Sequence, residues 1–504
     1  MIAVRFARQL CLVAFLLPAL CLGGSLDTKA IDSLVAETLR AWNVPGAAVA
    51  ITRGDEVVYL KGAGVREWGR PEPVTPDTRF AIGSTTKAFT TAAIAMLVDE
   101  GKMSWDEPVR KHLDFFHLSD PLADEQCTLR DLLSHRTGLS RHDMLWYGSN
   151  WDREEVIKRV GRVRLTMPFR SGFQYQNIMF LAAGEALARA SGTTWESFVR
   201  ARLLEPLGMR DTDFSVTETV AAPNRATPHR KDGAGAAIPV EWRKIDNIGP
   251  AGAMNSTARD LTKWLRLQVN GGVFDGKQLI TAKNLGETHT PQTVIRLDQP
   301  MRMLTDEMTQ LSYGMGWFVN DYRGHLVVSH GGAIDGFRAN ITLLPKQKVG
   351  IAVLSNMNQV NMPEALRDAI VDVVLGLPRV DWNTRYLAKA KQEEAEQRAR
   401  EERLLKADPT GNRPSREVLA YAGDYSDPAY GTVHVRVDDG ELIVEWNALK
   451  GRLAHRYFDT FVTHGGSFGR MPAVFRLGTD GRVESLVVMD VEFRRAPARM
   501  VAGN

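Results

Sequence analysis

The chain has 504 residues, 44% hydrophobic and 24% charged, with 63 Lys and Arg against 60 Asp and Glu for a net charge of +3. That length suggests several domains, and the ordinary composition excludes disordered, collagen-like and multi-span membrane proteins. The near-neutral balance offers no broad basic surface, so nucleic acid is not an expected partner. Three cysteines are too few for a disulfide scaffold.

In chain order, Arg5 and Arg8 precede an apolar run from Leu10 to Leu22, followed by Gly23-Gly24-Ser25. A helix this short does not span about 30 Å of hydrocarbon, so residues 1–23 read as a cleaved secretory signal. An uncleaved anchor and a lipoprotein are the alternatives, and Pro18-Ala19-Leu20-Cys21 fits a lipidation box poorly. Cleavage near Gly23 leaves 61 basic against 60 acidic residues, a net of +1, and keeps Cys127 alone of the three thiols. The expectation is an exported chain, periplasmic or extracellular, held by packing and without stable membrane insertion after cleavage.

Ala47 to Val58 reads as two strands around a Gly54-Asp55 turn, and Thr85 to Glu100 as a buried helix ending at Gly101. Ile178 to Ser191 is a second helical pattern, closed by Gly192. His325 to Ser329, Arg338 to Leu344 and Gly350 to Ser355 read as successive strands, the last two joined by a hairpin at Pro345-Lys346-Gln347-Lys348, so the sheet is expected to be antiparallel. Tyr386 to Lys406 is rich in Ala, Glu, Gln, Lys and Arg, with Glu394→Arg398 and Glu396→Arg400 at i,i+4. It reads as a solvated connecting helix, with a binding arm as the alternative, stopped by Asp408-Pro409-Thr410-Gly411. Beyond it, Asp439-Gly440 and Asp480-Gly481 each turn between alternating strands, which predicts a small β-barrel or half-barrel.

Three short segments carry candidate chemistry. In Ser84-Thr85-Thr86-Lys87, serine and lysine three apart share a helix face, so a buried, neutral amine can act as base to the hydroxyl. The bland reading is a helix cap beside a solvated lysine. In Tyr175-Gln176-Asn177, a phenol can pass a proton to a leaving group and an amide can hold a substrate carbonyl and the lysine; the alternative is that Asn177 caps a helix and Tyr175 packs. His330-Gly331-Gly332 stands at a strand end, where glycines allow close approach and leave the Ala333 N–H as an oxyanion donor; the alternative is a turn or bulge. The same tripeptide recurs at His464-Gly465-Gly466, where no serine–lysine pair is near and a loop is the reading. Trp146, Tyr147 and Trp151 are open between a pocket lining and core.

Taken in order, Ser-x-x-Lys, Tyr-x-Asn and His-x-Gly resemble the serine β-lactamase-like and penicillin-binding superfamily. The branch is that of class C β-lactamases, D-aminopeptidases and family VIII esterases (peptidase family S12). Leu132–Leu139, Pro250–Thr257 and Tyr313–Trp317 resemble it too, and the likeness runs from about residue 30 to 375. Residues Tyr421 to Arg494 resemble a lipocalin-like C-terminal module, which implies an accessory or oligomerising role. The implied fold is α+β: an antiparallel β-sheet flanked by helices plus an all-helical subdomain, followed by a small β-barrel-like domain. The implied division is a signal peptide at 1–23, a hydrolase domain at 26–380, a charged helical linker at 381–410 and the β domain at 411–500.

By residue-wise carry-over, Ser84 is the acylated nucleophile, Lys87 its base and Tyr175 the proton shuttle. Asn177, His330, Gly332 and Ala333 bind substrate, with the Ser84 and Ala333 N–H groups as the oxyanion hole. No cofactor and no metal is implied. The resemblance departs at His330, where β-lactamases and transpeptidases offer a lysine: an ordinary imidazole is mostly neutral at pH 7. The expected substrate is therefore a small ester or D-amino-acid peptide, with β-lactam-like compounds handled weakly. Arg338 is open between a replacement cation and a solvated strand residue. The competing reading is a penicillin-recognising sensor or scaffold that acylates without turnover.

Overall fold

The computed structural model describes residues 26–297, 307–405 and 412–497. The expected signal segment and the Asp408–Gly411 helix stop lie outside the described residues. The chain opens on α1 (Thr28–Trp42), capped by the Asp27 carboxylate and closed by Asn43 in the left-handed region at φ 54°. An eight-stranded antiparallel sheet follows: β1 (Gly46–Arg53), β2 (Glu56–Gly64), β3 (Thr293–Ile295), β4 (Leu311–Tyr313), β5 (Phe318–Tyr322), β6 (His325–Ile334), β7 (Phe337–Leu344) and β8 (Val349–Ser355). Its spatial order is β2-β1-β8-β7-β6-β5-β4-β3. Between β2 and β3 come three longer helices, α2 (Thr86–Asp99), α3 (Asn177–Ser191) and α4 (Ala258–Val269), within a largely helical stretch. The sheet is followed by α5 (Met362–Leu375) and α6 (Trp382–Leu405).

The central strands are apolar throughout because both faces are covered. Ala47, Val49 and Ile51 of β1 join Ile351 and Val353 of β8 in one core with α1 and α5. Ala48, Ala50, Ala352 and Leu354 alternate to the other face, where they join α2, α3 and α4. The small residues on that second face let α4 approach the sheet closely; a Cβ on Gly350 would lie 2.7 Å from Leu265 Cβ.

Two predicted elements are shifted. The strand expected at His325–Ser329 runs on to Ile334, so His330-Gly331-Gly332 lies inside β6, not in a turn. The charged helix begins at Trp382, four residues before the expected start. Its first turns belong to the sheet-backing core: Trp382 and Tyr386 are buried and donate to the Asp372 and Asp368 carboxylates. The charged pattern begins only past that anchor, where Arg398 pairs with Glu394 as expected.

The tail is a closed barrel, not a half-barrel. Its strands are β9 (Gly423–Asp427), β10 (Gly431–Asp438), β11 (Glu441–Trp446), β12 (Leu449–Tyr457), β13 (Thr460–His464), β14 (Pro472–Leu477), β15 (Val483–Val488) and β16 (Val491–Arg495). Asp439 and Gly440, at φ 49° and 77°, form the first predicted turn, and Gly481 at φ 75° the second. Tyr421, Tyr425, Val433, Phe461, Phe475 and Phe493 fill the interior. Closure removes the exposed sheet edges.

Candidate active site

Ser84 sits on a short 3-10 turn, Gly83–Thr85, directly ahead of α2. First-turn N–H groups lack intrahelical acceptors, so the Ser84 amide is one candidate oxyanion donor. The second comes from β6. Ile334 pairs with Phe337 across the tip Asp335-Gly336 of the β6–β7 hairpin. The closing pair of a two-residue hairpin exchanges hydrogen bonds and the pairs alternate, so the Ala333 N–H points away from β7. β5 pairs with β6 only over His325–Ser329, which leaves the Ala333 N–H turned toward the serine turn. The two backbones nearly touch: a Cβ on Gly83 would lie 2.7 Å from Ala333 N, and one on Gly332 1.9 Å from the Ile82 carbonyl oxygen. Only glycine allows this approach.

One turn along α2, Lys87 is fully buried. Its Nζ lies 3.1 Å from Ser84 Oγ, 2.8 Å from Asn177 Oδ1 and 2.8 Å from the Ala251 carbonyl oxygen. Burial holds the amine well below its usual range; the nearby Arg141 charge adds to this and Asp143 opposes it. The Asn177 Oδ1 and the Ala251 carbonyl can only accept, so Lys87 donates to both while the nitrogen also reaches Ser84 Oγ.

Tyr175 and Asn177 arrive from the loop ahead of α3. Gln176, not Asn177, caps that helix, its side chain accepting from Ile178 N. Asn177 is thereby free for the site: Oδ1 accepts from Lys87 and Nδ2 donates to Asp143 Oδ1 at 2.9 Å. The Tyr175 ring centroid lies 4.8 Å from Lys87 Nζ. Burial raises the phenol, and the neighbouring Ser84 side chain draws it back in part.

His330 is placed differently from its sequence-based role. The side chain is 2% exposed, with Nδ1 2.6 Å from the Gly331 carbonyl oxygen and Nε2 2.9 Å from the Tyr313 hydroxyl. The carbonyl can only accept, so Nδ1 carries the proton and Nε2 accepts from Tyr313. Burial pushes this imidazole down to about 3, and the bond to the Gly331 carbonyl draws it back only in part. The expected substrate contact of His330 is thus replaced by a neutral strut behind the site. Gly332 acts through its missing side chain, and Ala333 through its backbone.

In front of Ser84 lies a cleft of about 1080 Å³, open to solvent, lined by Arg141, Asp143, Trp146, Tyr147, Ala333 and Arg338 among others. Trp146 and Tyr147 are therefore lining residues. Trp151 is not: its ring meets Trp446 of the barrel edge-on at 5.8 Å. Arg338 is half-buried, donating to the Val360 carbonyl at 3.0 Å and Asn361 Oδ1 at 2.8 Å. It lines the open cleft and is not paired with an acid among the described residues.

Sequence reasoning missed Arg141, Asp143 and His135. Asp143 Oδ1 accepts from Asn177 Nδ2 and Trp146 Nε1, each at 2.9 Å, and Oδ2 accepts from Arg141 Nε at 2.6 Å. The Arg141 guanidinium lies 5.1 Å from the Tyr175 ring centroid. Buried His135, at φ 57°, holds the tyrosine segment from both sides: its carbonyl accepts from Gln174 N and its Nδ1 from Gln176 N. The one sequence signal for His135 was its place in the Leu132–Leu139 stretch; for Arg141 and Asp143 there was none. Among the described residues no group of three or more His, Cys, Asp or Glu is placed to hold a metal ion, and no helix is long and apolar enough to cross a membrane.

A serine with a buried lysine, a tyrosine and two converging amides on an antiparallel sheet defines a β-lactamase-type site. The β-lactamase family model matches residues 31–375, and the chain belongs to that family. Residues 407–500 match a model described only as a domain of unknown function (DUF3471). The unguisins hydrolase ungD' of Aspergillus campestris (strain IBT 28561) is 28% identical over 488 residues, 91% of this chain and 88% of that protein. Among solved structures, the octameric penicillin-binding protein homologue from Pyrococcus abyssi has a TM-score of 0.62 at 22% identity, covering 93% of this chain and 100% of that one. D-amino acid amidase from Ochrobactrum anthropi SV3 has a TM-score of 0.58 at 23% identity, covering 69% of this chain and 97% of that one. The last two likenesses show the fold.

Proposed function

We propose that the protein hydrolyses small esters or amide bonds, D-amino-acid peptides among them, through an acyl-enzyme on Ser84. The observation that carries this reading is the Lys87 amine, fully buried and 3.1 Å from Ser84 Oγ with neutral partners only. Ser84 Oγ bonds to the substrate carbonyl carbon while its proton passes to Lys87 Nζ. The carbonyl oxygen gathers negative charge facing the Ser84 and Ala333 N–H groups. As the bond to the leaving group breaks, the Tyr175 hydroxyl protonates that group and Lys87 returns the proton to Tyr175. Water then adds to the acyl carbon, giving its proton to the same base, and Ser84 leaves with that proton restored. The hydrolase name of the fungal relative supports bond hydrolysis, and the amidase fold neighbour supports amides. A neutral, internal His330 argues against efficient β-lactam turnover, since it presents no cation to a β-lactam carboxylate.

The test is a panel of p-nitrophenyl acetate, D-alanine p-nitroanilide and nitrocefin, with mass spectrometry after exposure to a fluorophosphonate. We expect the adduct on Ser84, turnover of ester or anilide above nitrocefin, and no turnover by Ser84→Ala. Activity retained in Ser84→Ala overturns the nucleophile assignment. A long-lived adduct with no multiple turnover of any substrate replaces this reading with a non-hydrolysing sensor. Export with cleavage near Gly23 and self-association through the barrel complete the proposal; cell fractionation and light scattering on the full chain test them.

A further inference from the structure

We propose that the C-terminal barrel is a positioning part of the active site, with Tyr430 holding the segment 140–151 against the Ser84 cleft. The proposal rests on the hydrolase reading and gives the barrel a role within it. Along this segment the residues divide between two sides. Arg141, Asp143, Met144, Trp146 and Tyr147 line the cleft. His142, Gly148 and Trp151 face the barrel instead. His142 Nδ1 lies 2.8 Å from the Tyr430 hydroxyl. The Gly148 carbonyl accepts from Ala448 N at 3.2 Å, and a Cβ on Gly148 would lie 3.1 Å from Leu449 Cδ2. Trp151 packs edge-on against Trp446 at 5.8 Å, under the Arg159 guanidinium 3.7 Å away. Arg159 in turn donates to the Ala429 carbonyl at 2.8 Å.

The segment has little regular structure of its own to hold it. Its one helical turn is the 3-10 turn Asp143–Leu145, and it enters that turn through His142 at φ 45°. A left-handed, non-glycine backbone persists where surrounding contacts over-determine it. Here the contacts are Ser140 Oγ on His142 Nε2 at 2.9 Å and Tyr430 on Nδ1 at 2.8 Å. Tyr430 is itself rigid: it is 4% exposed, its N–H donates to Asp427 Oδ1 and its carbonyl accepts from Trp446 Nε1. On either side of His142 stand Arg141, over the Tyr175 ring, and Asp143, which fixes the Asn177 amide so that Oδ1 faces Lys87. The chain of contact therefore runs from the barrel through Tyr430 and His142 to the serine's base. Tyr430 touches no reacting atom and acts through His142.

The test is a double-mutant cycle in the full-length protein with Tyr430→Phe and His142→Asn, asparagine being tolerated in the left-handed region. Each single variant is expected to lose about 3- to 10-fold in kcat/KM on the best ester of the panel, mostly in kcat, with the double variant no worse than the poorer single. Hydrogen–deuterium exchange over 141–151 is expected to speed up in both, with the melting temperature of the catalytic transition unchanged. Phe458→Ser, at an exposed tip of the barrel, is expected to stay within about 2-fold of wild type. Wild-type activity in both single variants, or losses that multiply in the double, overturns the proposal. If Tyr430→Phe does not fold, His142→Asn lies outside the barrel and decides alone, by exchange and by kcat. Exchange reads the positioning without turnover, so a wild type inactive on the whole panel fails the hydrolase reading and not this one.

Discussion

The tripeptide His-Gly-Gly occurs twice, and the two copies need glycine for different physical reasons. At 330–332 it lies inside β6, where neither glycine has a positive φ; Gly332 is required because a Cβ would strike the Ile82 carbonyl at 1.9 Å. At 464–466 it closes β13, and Gly465 and Gly466 adopt φ 65° and 67° in the loop toward β14. The first pair of glycines brings a strand onto the Ser84 turn, and the second lets a chain reverse. The histidines differ as well. His330 is locked between Tyr313 and Gly331, whereas His464 is half-buried at the barrel's rim. Identical letters thus report a close approach alone in the first case and a left-handed backbone in the second, joined at Gly466 by a close approach in which a Cβ would lie 2.2 Å from the Lys450 carbonyl oxygen.

Substitutions can break this contrast. The largest effect is expected for Gly332→Ala, because the clash is with backbone, which cannot rotate aside. We expect at least about 100-fold loss in kcat/KM and about 1–3 kcal/mol of stability, read by steady-state kinetics and urea unfolding. Near-normal activity would mean that the Ala333 amide is not required where β6 now places it.

A smaller effect depends on pH. The His330 imidazole falls from 6.5 to about 3 on folding. Between those values the unfolded chain binds a proton that the folded chain does not, so stability is present above about 6.5 and is lost as pH falls toward 3. One such group contributes at most about 1.4 kcal/mol per pH unit in that window. Comparing urea midpoints of wild type and His330→Gln from pH 7 to 4 should show the wild type losing the greater stability on acidification. Parallel curves would place the histidine in a more polar setting than the Tyr313–Gly331 clamp provides. The smallest effect is expected for Gly465→Ala, where no atom lies within 4 Å of the new Cβ and only the positive φ costs energy. About 1 kcal/mol of barrel stability should go, read by thermal unfolding, with fluorophosphonate labelling of Ser84 unchanged.

Much of the architecture was legible in local pattern. Alternation gave the barrel hairpins around Asp439-Gly440 and Asp480-Gly481, and the Gly54 turn and the helix ending at Gly101 fell within a residue or two of their predicted places. The site was legible as three motifs, each with a bland rival that spacing could not dismiss. Asn177 illustrates why: cap or ligand depends on whether Gln176 takes the helix end, and either residue type suits a loop before a helix. The connecting helix was read as solvated throughout because its charges dominate the pattern, although Trp382 and Tyr386 anchor its start in the core. Arg141 and Asp143 carried no signal, since an irregular loop has no period and their partners lie far along the chain.

The sequence by itself determined what depends on neighbours within a few residues: strand and helix periodicity, the left-handed turns, and the reach of Lys87 to Ser84 one helical turn away. Tertiary structure alone decided what depends on solvent exclusion and on residues distant in the chain. It surrounded Lys87 with Asn177 and Ala251 so that the amine loses its water, turned His330 inward onto Tyr313, and set the barrel against the loop that carries Arg141 and Asp143. Desolvation is a property of everything that packs around a group, and no spacing along the chain records it.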